Sequence, residues 1–180
     1  EIRSAILNQE VMPSMRLMWS AGDAARASNV CAYNCSYIAP TGLRDFGEIM
    51  YISMCGTGLG FSAESENVQQ LPQIQRQRGV KLKTHIVEDS KEGWADAFVL
   101  ALETWFSGKD IDFDYSQLRP AGAKLKTMGG RSSGPQPLID LIEFTKEKIL
   151  ARQGKRLRNI DVHDIACKIG EIVVAGGVRR

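Results

Sequence analysis

The residues of this chain best suited to chemistry form three groups: a run dense in glycine and cation, a set of thiols, and a second cluster of glycines. The run spans Arg119–Pro135, with the sequence RPAGAKLKTMGGRSSGP. Gly122, Gly129, Gly130 and Gly134 let the backbone turn tightly and bring bare N–H groups toward a ligand, while Lys124, Lys126 and Arg131 add positive charge. Such a segment suits a small anionic ligand, although a solvated basic loop has the same composition.

Cys35 opens a predicted strand beside Asn34 and Ser36, a setting in which a thiol can face a cleft instead of a core. Cys31 lies close enough in sequence to form a disulfide with it if the intervening turn allows, and a cysteine elsewhere in a longer chain is the other available partner. Cys55 and Cys167 fall on apolar helical faces and are expected in the core. Structural zinc sites show two close pairs of ligands, whereas here only Cys31 and Cys35 are near each other and His85 and His163 stand apart, so no metal site is predicted.

The third group, Gly56, Gly58 and Gly60, joins a helix to a strand. That is the reverse of the dinucleotide-binding fingerprint, in which glycines follow a strand and open a helix. A phosphate loop is excluded too, because the GGRSS segment lacks its lysine and its spacing. These glycines serve either close backbone approach to a ligand or a tight turn. Carboxylates give no paired acid–base site: Asp89, Glu92 and Asp161 read as helix caps, and Asp110, Asp112 and Asp114 as exposed positions around a short strand.

The elements that must position these groups follow from periodicity. A helix is predicted from Pro13 to about Ala27 with Leu17, Met18, Ala21, Ala24 and Ala25 inward, then a strand over Cys35–Ile38. Phe46, Ile49, Met50, Ser53 and Met54 mark a helix, and the glycine turn leads to a second strand; strand, helix, strand is a βαβ unit and implies a parallel sheet. A half-buried strand is predicted over Lys81–Val87, followed by a helix capped by Asp89 or Ser90, with Glu92 closing a capping box on Asp89. That helix carries Trp94, Ala97, Phe98, Ala101, Leu102 and Trp105 inward. Ile111–Tyr115 reads as a strand. Two further helices follow, one with Leu138, Leu141, Ile142, Thr145 and Ile149 inward, the other with Ile165, Ala166, Ile169, Ile172 and Val173.

A chain of 180 residues that is 43% hydrophobic can bury a core, and a formal charge of +2 argues against bulk binding to nucleic acid or an acidic membrane. No apolar run approaches the roughly 18 residues of a membrane span, and a cytoplasmic location is expected. The start at Glu1 and the stop in a glycine-rich turn after Ile172-Val173-Val174 suggest part of a longer polypeptide.

Taken together, Asn34–Tyr37 (NCSY), Met54–Phe61 (MCGTGLGF), Arg119–Pro135, Ile160–Asp164 (IDVHD) and Val174–Arg180 (VAGGVRR) resemble the adenosylcobalamin-dependent (class II) ribonucleotide reductases, of the monomeric ribonucleoside-triphosphate reductase type. The resemblance implies an α/β fold in which residues 1–180 form the early part of a ten-stranded barrel built around a finger loop. It implies that Cys35 is one thiol of the redox pair that supplies two electrons as the substrate 2′-hydroxyl leaves, the resulting disulfide being reduced by thioredoxin or a similar dithiol. It places Ser14, Asn34, Ser36, Gly56, Gly58 and Gly60 at the ribonucleoside triphosphate, and Gly176, Gly177, Val178, Arg179 and Arg180 in a loop through which a deoxynucleotide effector sets base preference. Adenosylcobalamin would be held mostly by residues outside this chain, and no nucleic acid or membrane partner is implied.

The chain departs from the family pattern at two points. Pro40–Arg44 stands where dimeric relatives carry an aspartate-serine-leucine effector motif, and the asparagine-x-cysteine-x-glutamate signature of the radical cysteine does not occur. The 180-residue chain is therefore expected to reduce no nucleotide by itself. Two rival readings are a large-subunit fragment of a reductase served by a diiron partner, and a non-catalytic nucleotide-binding module. A half barrel would leave strand edges open and is expected to be poorly soluble alone.

Overall fold

The computed structural model describes residues 1–125 and 130–175. Its centre is the predicted βαβ unit. Strand β1 (Cys35–Ile38) and strand β2 (Gly58–Phe61) run parallel with Cys35 opposite Gly58 and Ile38 opposite Phe61, and helix α4 (Leu43–Met54) makes the crossover. The chain can turn into α4 because the Asp45 carboxylate accepts the Thr41 and Gly42 N–H groups at 2.7 and 2.8 Å, satisfying donors that the first helical turn leaves open.

The inner face of α4 (Phe46, Gly47, Ile49, Met50, Ser53) packs on helix α6 (Lys91–Phe106). The two backbones approach closely at Gly47, where a Cβ would run into the Val99 side chain and press on the Ala95 carbonyl. Ser90, not Asp89, caps α6, its Oγ accepting the Gly93 N–H at 2.9 Å. The predicted capping box fails because Asp89 is taken by Arg119, whose Nε lies 2.7 Å from its carboxylate.

The single strand predicted over Lys81–Val87 is two short ones. β3 (Val80–Lys81) pairs parallel with β5 (Lys109–Asp110), and β4 (His85–Ile86) with β6 (Phe113–Asp114), so α6 is a second parallel crossover. The ladder breaks between them because the Ile111 N–H turns to the Asp110 carboxylate at 2.9 Å instead of to the neighbouring strand. The predicted strand Ile111–Tyr115 shortens for the same reason. Asp110 is a half-buried hub, not an exposed position: it also accepts Trp105 Nε1 at 3.2 Å and pairs with Lys146 at 2.7 Å.

Helices α7 (Gln136–Leu150) and α8 (Asn159–Ala175) close the core, and every inward residue predicted for them is buried. Asp161 lies in the first turn of α8. At the other end of the chain the long helix predicted over Pro13–Ala27 is broken into α2 (Met15–Ser20) and α3 (Asp23–Ala27) by Gly22, whose φ of 102° no helix accommodates. Leu17 and Met18, predicted inward, are exposed, since so short a helix has no continuous face to bury. α1 (Ile2–Leu7) buries nothing, and α5 (Ser65–Val68) is a single turn. No helix among the described residues is long and apolar enough to cross a membrane.

Candidate functional site

Cys35 is the first residue of β1, its thiol is free and it is exposed. Three interactions set its place. The ladder holds Cys35 opposite Gly58, and the Gly58 N–H donates to the Asn34 carbonyl at 2.9 Å. Thr57, fully buried between Gly56 and Gly58, has its Oγ1 at 3.0 Å from the Tyr33 carbonyl and 3.2 Å from the Val30 carbonyl. Its hydroxyl therefore ties the glycine turn to the 3₁₀ turn Asn29–Ala32 that leads into β1. Sequence reasoning passed over Thr57; the only signal was a small hydroxyl residue between two glycines of a turn.

Cys31 sits in that 3₁₀ turn, buried, with its thiol donating to the Ser28 carbonyl at 2.9 Å. It is thus a structural thiol, and no disulfide joins it to Cys35. Cys55 is in the core as expected, with Lys91 Nζ 3.5 Å from its sulfur. Cys167, expected there too, is exposed: the buried stripe of α8 runs through Val162, Ile165, Ala166, Ile169, Ile172 and Val173, and position 167 falls beside it, where its sulfur lies 3.6 Å from His163 Nε2.

The other predicted site residues differ in exposure and in the elements that carry them. Asn34 is exposed, and the Ser36 hydroxyl is buried with no hydrogen-bond partner. Gly60 is exposed and Gly58 half-buried, while Gly56 is buried at φ +83° beneath the Arg16 guanidinium. Ser14 caps α2, its Oγ accepting the Leu17 N–H at 3.1 Å. Arg16, two residues on, is a second residue that sequence reasoning missed, because a single arginine in a short helix carries no pattern.

The glycine and cation run folds back on itself. The Gly122 N–H donates to Ser132, the Ser132 N–H to Ala123 and the Leu125 N–H to Gly130, and Lys124 pairs antiparallel with Arg131. Two of its cations serve the protein itself: Arg131 donates to the Gly122 carbonyl at 2.8 Å, and Arg119 pairs with Asp89. Lys126 and Gly129 lie outside the described residues, as do Gly176, Gly177, Val178, Arg179 and Arg180.

Shifted acids mark the scaffold. Burial pushes the Asp110 carboxyl upward, but the hydrogen bonds from Lys146 and from the Ile111 N–H outweigh it and hold the group below its ordinary value. Asp161 is held low by the Arg158 guanidinium, and Asp164 by Lys148. Burial, with the Glu143 charge adding, pushes the Tyr115 phenol up to about 12.

Comparison with known proteins fits this geometry. A solved structure of a B12-dependent (class II) ribonucleotide reductase superposes with a TM-score of 0.83 over 97% of this chain and 32% of its own, at 25% identity. The α/β fold is that of a class II reductase. Residues 62–149 match the family described as "B12-dependent ribonucleotide reductase, insertion domain". An adenosylcobalamin-dependent ribonucleoside-triphosphate reductase of Euglena gracilis is 32% identical over 97% of this chain and 25% of its own length. A protein of the same name from Lactobacillus acidophilus is 28% identical over 93% of this chain and 31% of its own. The chain belongs to the B12-dependent ribonucleotide reductases, and it spans between a quarter and a third of the length of these relatives.

Proposed function

We propose that the full-length protein is a ribonucleoside-triphosphate reductase that makes deoxyribonucleotides in the cytoplasm, with Cys35 as one thiol of its redox pair. The observation that carries this is the exposed thiol at the head of β1, held by the parallel ladder and by Thr57, in a chain that follows a class II reductase fold along nearly its whole length. In this role Cys35 and a second cysteine outside the chain each give up a hydrogen as the substrate 2′-hydroxyl leaves as water. The two sulfurs end as a disulfide, and thioredoxin or a similar dithiol restores them. Asn34, Ser36, Gly56, Gly58, Gly60 and Ser14 are proposed to contact the ribonucleoside triphosphate, as the family resemblance implies.

Adenosylcobalamin is the cofactor that the relatives' names imply. Two cavities among the described residues, of about 500 and 380 Å³, are grooves beside Gln73–Arg78, lined by neither Cys35 nor its strand neighbours. Neither groove carries a residue of the proposed site, and the corrinoid is proposed to be held mostly by residues outside this chain.

Residues 1–180 are proposed to be the early part of the ten-stranded barrel. The parallel pair of β1 and β2 supports that reading, since it leaves edges for further strands to join. Because residues 62–149 match a segment described as an insertion, β1, α4, β2 and α8 carry the barrel reading most directly. α8 runs to Ala175, immediately before the loop Gly176–Arg180 proposed to read a deoxynucleotide effector; coupling through that loop would be reciprocal between effector and substrate.

The test is turnover of ribonucleoside triphosphates by the full-length protein with adenosylcobalamin and a dithiol, for the natural sequence and for Cys35→Ser. Deoxynucleotide formation that is abolished in Cys35→Ser, with folding retained, is expected. Undiminished turnover by the variant would remove Cys35 from the redox pair, and turnover by the 180-residue chain alone would overturn the reading that essential residues lie elsewhere.

A further inference from the structure

Arg16 presents a guanidinium that makes neither a side-chain hydrogen bond nor an ion pair among the described residues. Its Nε is buried without a hydrogen-bond partner, and none of the ion pairs among the described residues includes its guanidinium. Among the described residues other half-buried cations are engaged, Arg119 with Asp89, Lys146 with Asp110 and Arg152 with Asp161, although Lys109 is not. A desolvated donor left open is costly, so such a group is expected to meet an acceptor in the working protein.

Two contacts fix where that acceptor would come from. The guanidinium carbon lies 5.2 Å from the centre of the Trp19 ring, and Nη2 lies 2.9 Å from the point where a Cβ at residue 56 would stand. Glycine is therefore needed at 56 both for its φ of +83° and for the space the guanidinium fills. Gly56 is two residues from Gly58, a reach of at most about 7 Å, and Gly58 faces Cys35 across the ladder at about 4.8 Å between strands. The guanidinium and the thiol are thus referenced to the two ends of one short piece of backbone, within about 20 Å of each other at most, a span that admits a nucleoside triphosphate.

We infer that Arg16 binds the phosphate of the substrate ribonucleotide, an inference that rests on the function proposed above. With Trp19 beside it, the planar fork keeps N–H groups for an anion in its own plane, the geometry that suits bidentate contact to phosphate oxygens. Gly56 lets the guanidinium lie directly against the turn that presents Gly58, so phosphate contact and thiol are referenced to the same short piece of backbone. Arg16 belongs to the half of the site that grips the substrate, Cys35 to the half that reduces it.

The experiment compares the four ribonucleoside triphosphates with the corresponding unphosphorylated nucleosides as ligands of the full-length protein, for the natural sequence, Arg16→Gln and Arg16→Lys, with thermal melting as a check on folding. Arg16→Gln is expected to weaken triphosphate binding roughly 10- to 100-fold and to leave nucleoside binding unchanged. The same loss should appear in turnover as a raised KM with little change in kcat. Arg16→Lys, which keeps the charge but not the fork, should fall between the two, and it carries the test if Arg16→Gln does not fold. Equal loss for nucleoside and triphosphate would assign Arg16 a purely structural role and overturn the inference, as would unaltered triphosphate binding in both variants. A natural protein that binds none of these ligands would remove the proposed function itself, and the inference with it.

Discussion

Asp161→Asn tests the electrostatic logic of the scaffold. The Asp161 carboxylate is only 1% exposed, yet it carries a full charge at the start of α8. Its Oδ2 accepts the Arg158 backbone N–H at 2.9 Å and Arg158 Nε at 3.0 Å, its Oδ1 accepts Arg158 Nη2 at 2.8 Å, and Arg152 Nε stands 3.7 Å away. Asparagine keeps the shape and one acceptor oxygen, but its amide turns N–H donors toward donors of Arg158. Breaking charge-assisted bonds to a buried group costs about 1.5–3 kcal/mol each. Arg158 is 60% exposed and recovers part of its loss from water, so the net cost should be about 2–3 kcal/mol.

The assay is urea denaturation of the full-length protein at pH 7, repeated through the acid range. The hydrogen bond from Arg158 holds the Asp161 carboxyl below its ordinary value against the upward push of burial. A group whose folded pKa is depressed contributes stability that is complete above its unfolded value of about 3.9 and disappears as pH falls through the folded value. The gap between the natural protein and Asp161→Asn should therefore be widest at neutral pH and close below about pH 4. Equal stability at pH 7, or a gap that persists unchanged through the acid range, would refute the assignment.

Two further perturbations probe the elements that present the site. Gly47→Ala should destabilise by about 1–3 kcal/mol through overpacking of α4 on α6; Val99→Ala, which opens the space the new methyl needs, should restore most of that loss in the double variant, and simple additivity in denaturation would show that the helices do not meet there. Thr57→Val removes the hydroxyl that ties the glycine turn to the Val30 and Tyr33 carbonyls. It should cost about 1–3 kcal/mol and change the alkylation rate of Cys35, whereas an unchanged rate would mean that the ladder alone holds the thiol.

What the sequence made legible, and what it hid, divide along a physical line. The inner faces of α7 and α8 and the βαβ unit of β1, α4 and β2 were readable, because burial on one face writes a repeating pattern that needs no knowledge of the partner. Cys35 was readable as a thiol at a strand start. The break of the strand at 82–84 was not, because it depends on Asp110 capturing the Ile111 N–H, a choice made by Trp105 and Lys146 from two different helices. Asp89 was misassigned as a cap for a similar reason: its partner, Arg119, is 30 residues away. Cys167 shows the limit of helical periodicity itself, since one residue of offset from Ala166 turns a thiol from the core to the surface. Arg16 and Thr57 were invisible because each acts across a contact that no local pattern encodes.

The distribution of exposed apolar side chains adds a last step. Met12 (85% exposed), Met15, Trp19, Tyr33 and Tyr37 all lie in the segment around α2 and β1, while the core under α6, α7 and α8 is closed. Burying such side chains is worth about 25 cal/mol per Å² of apolar surface, so a patch of this kind favours contact with further protein. The edges of β1 and β2 point the same way, since among the described residues each of these strands has one neighbour. The end of the molecule that carries Cys35 and Arg16 is thus the end least complete in this chain, as expected if the remaining barrel strands of the proposed reductase are to form the other wall of the substrate site. On the proposed reading, Cys35, exposed here, would in the full-length protein be reached only by what enters between Arg16, Gly58 and the opposing wall.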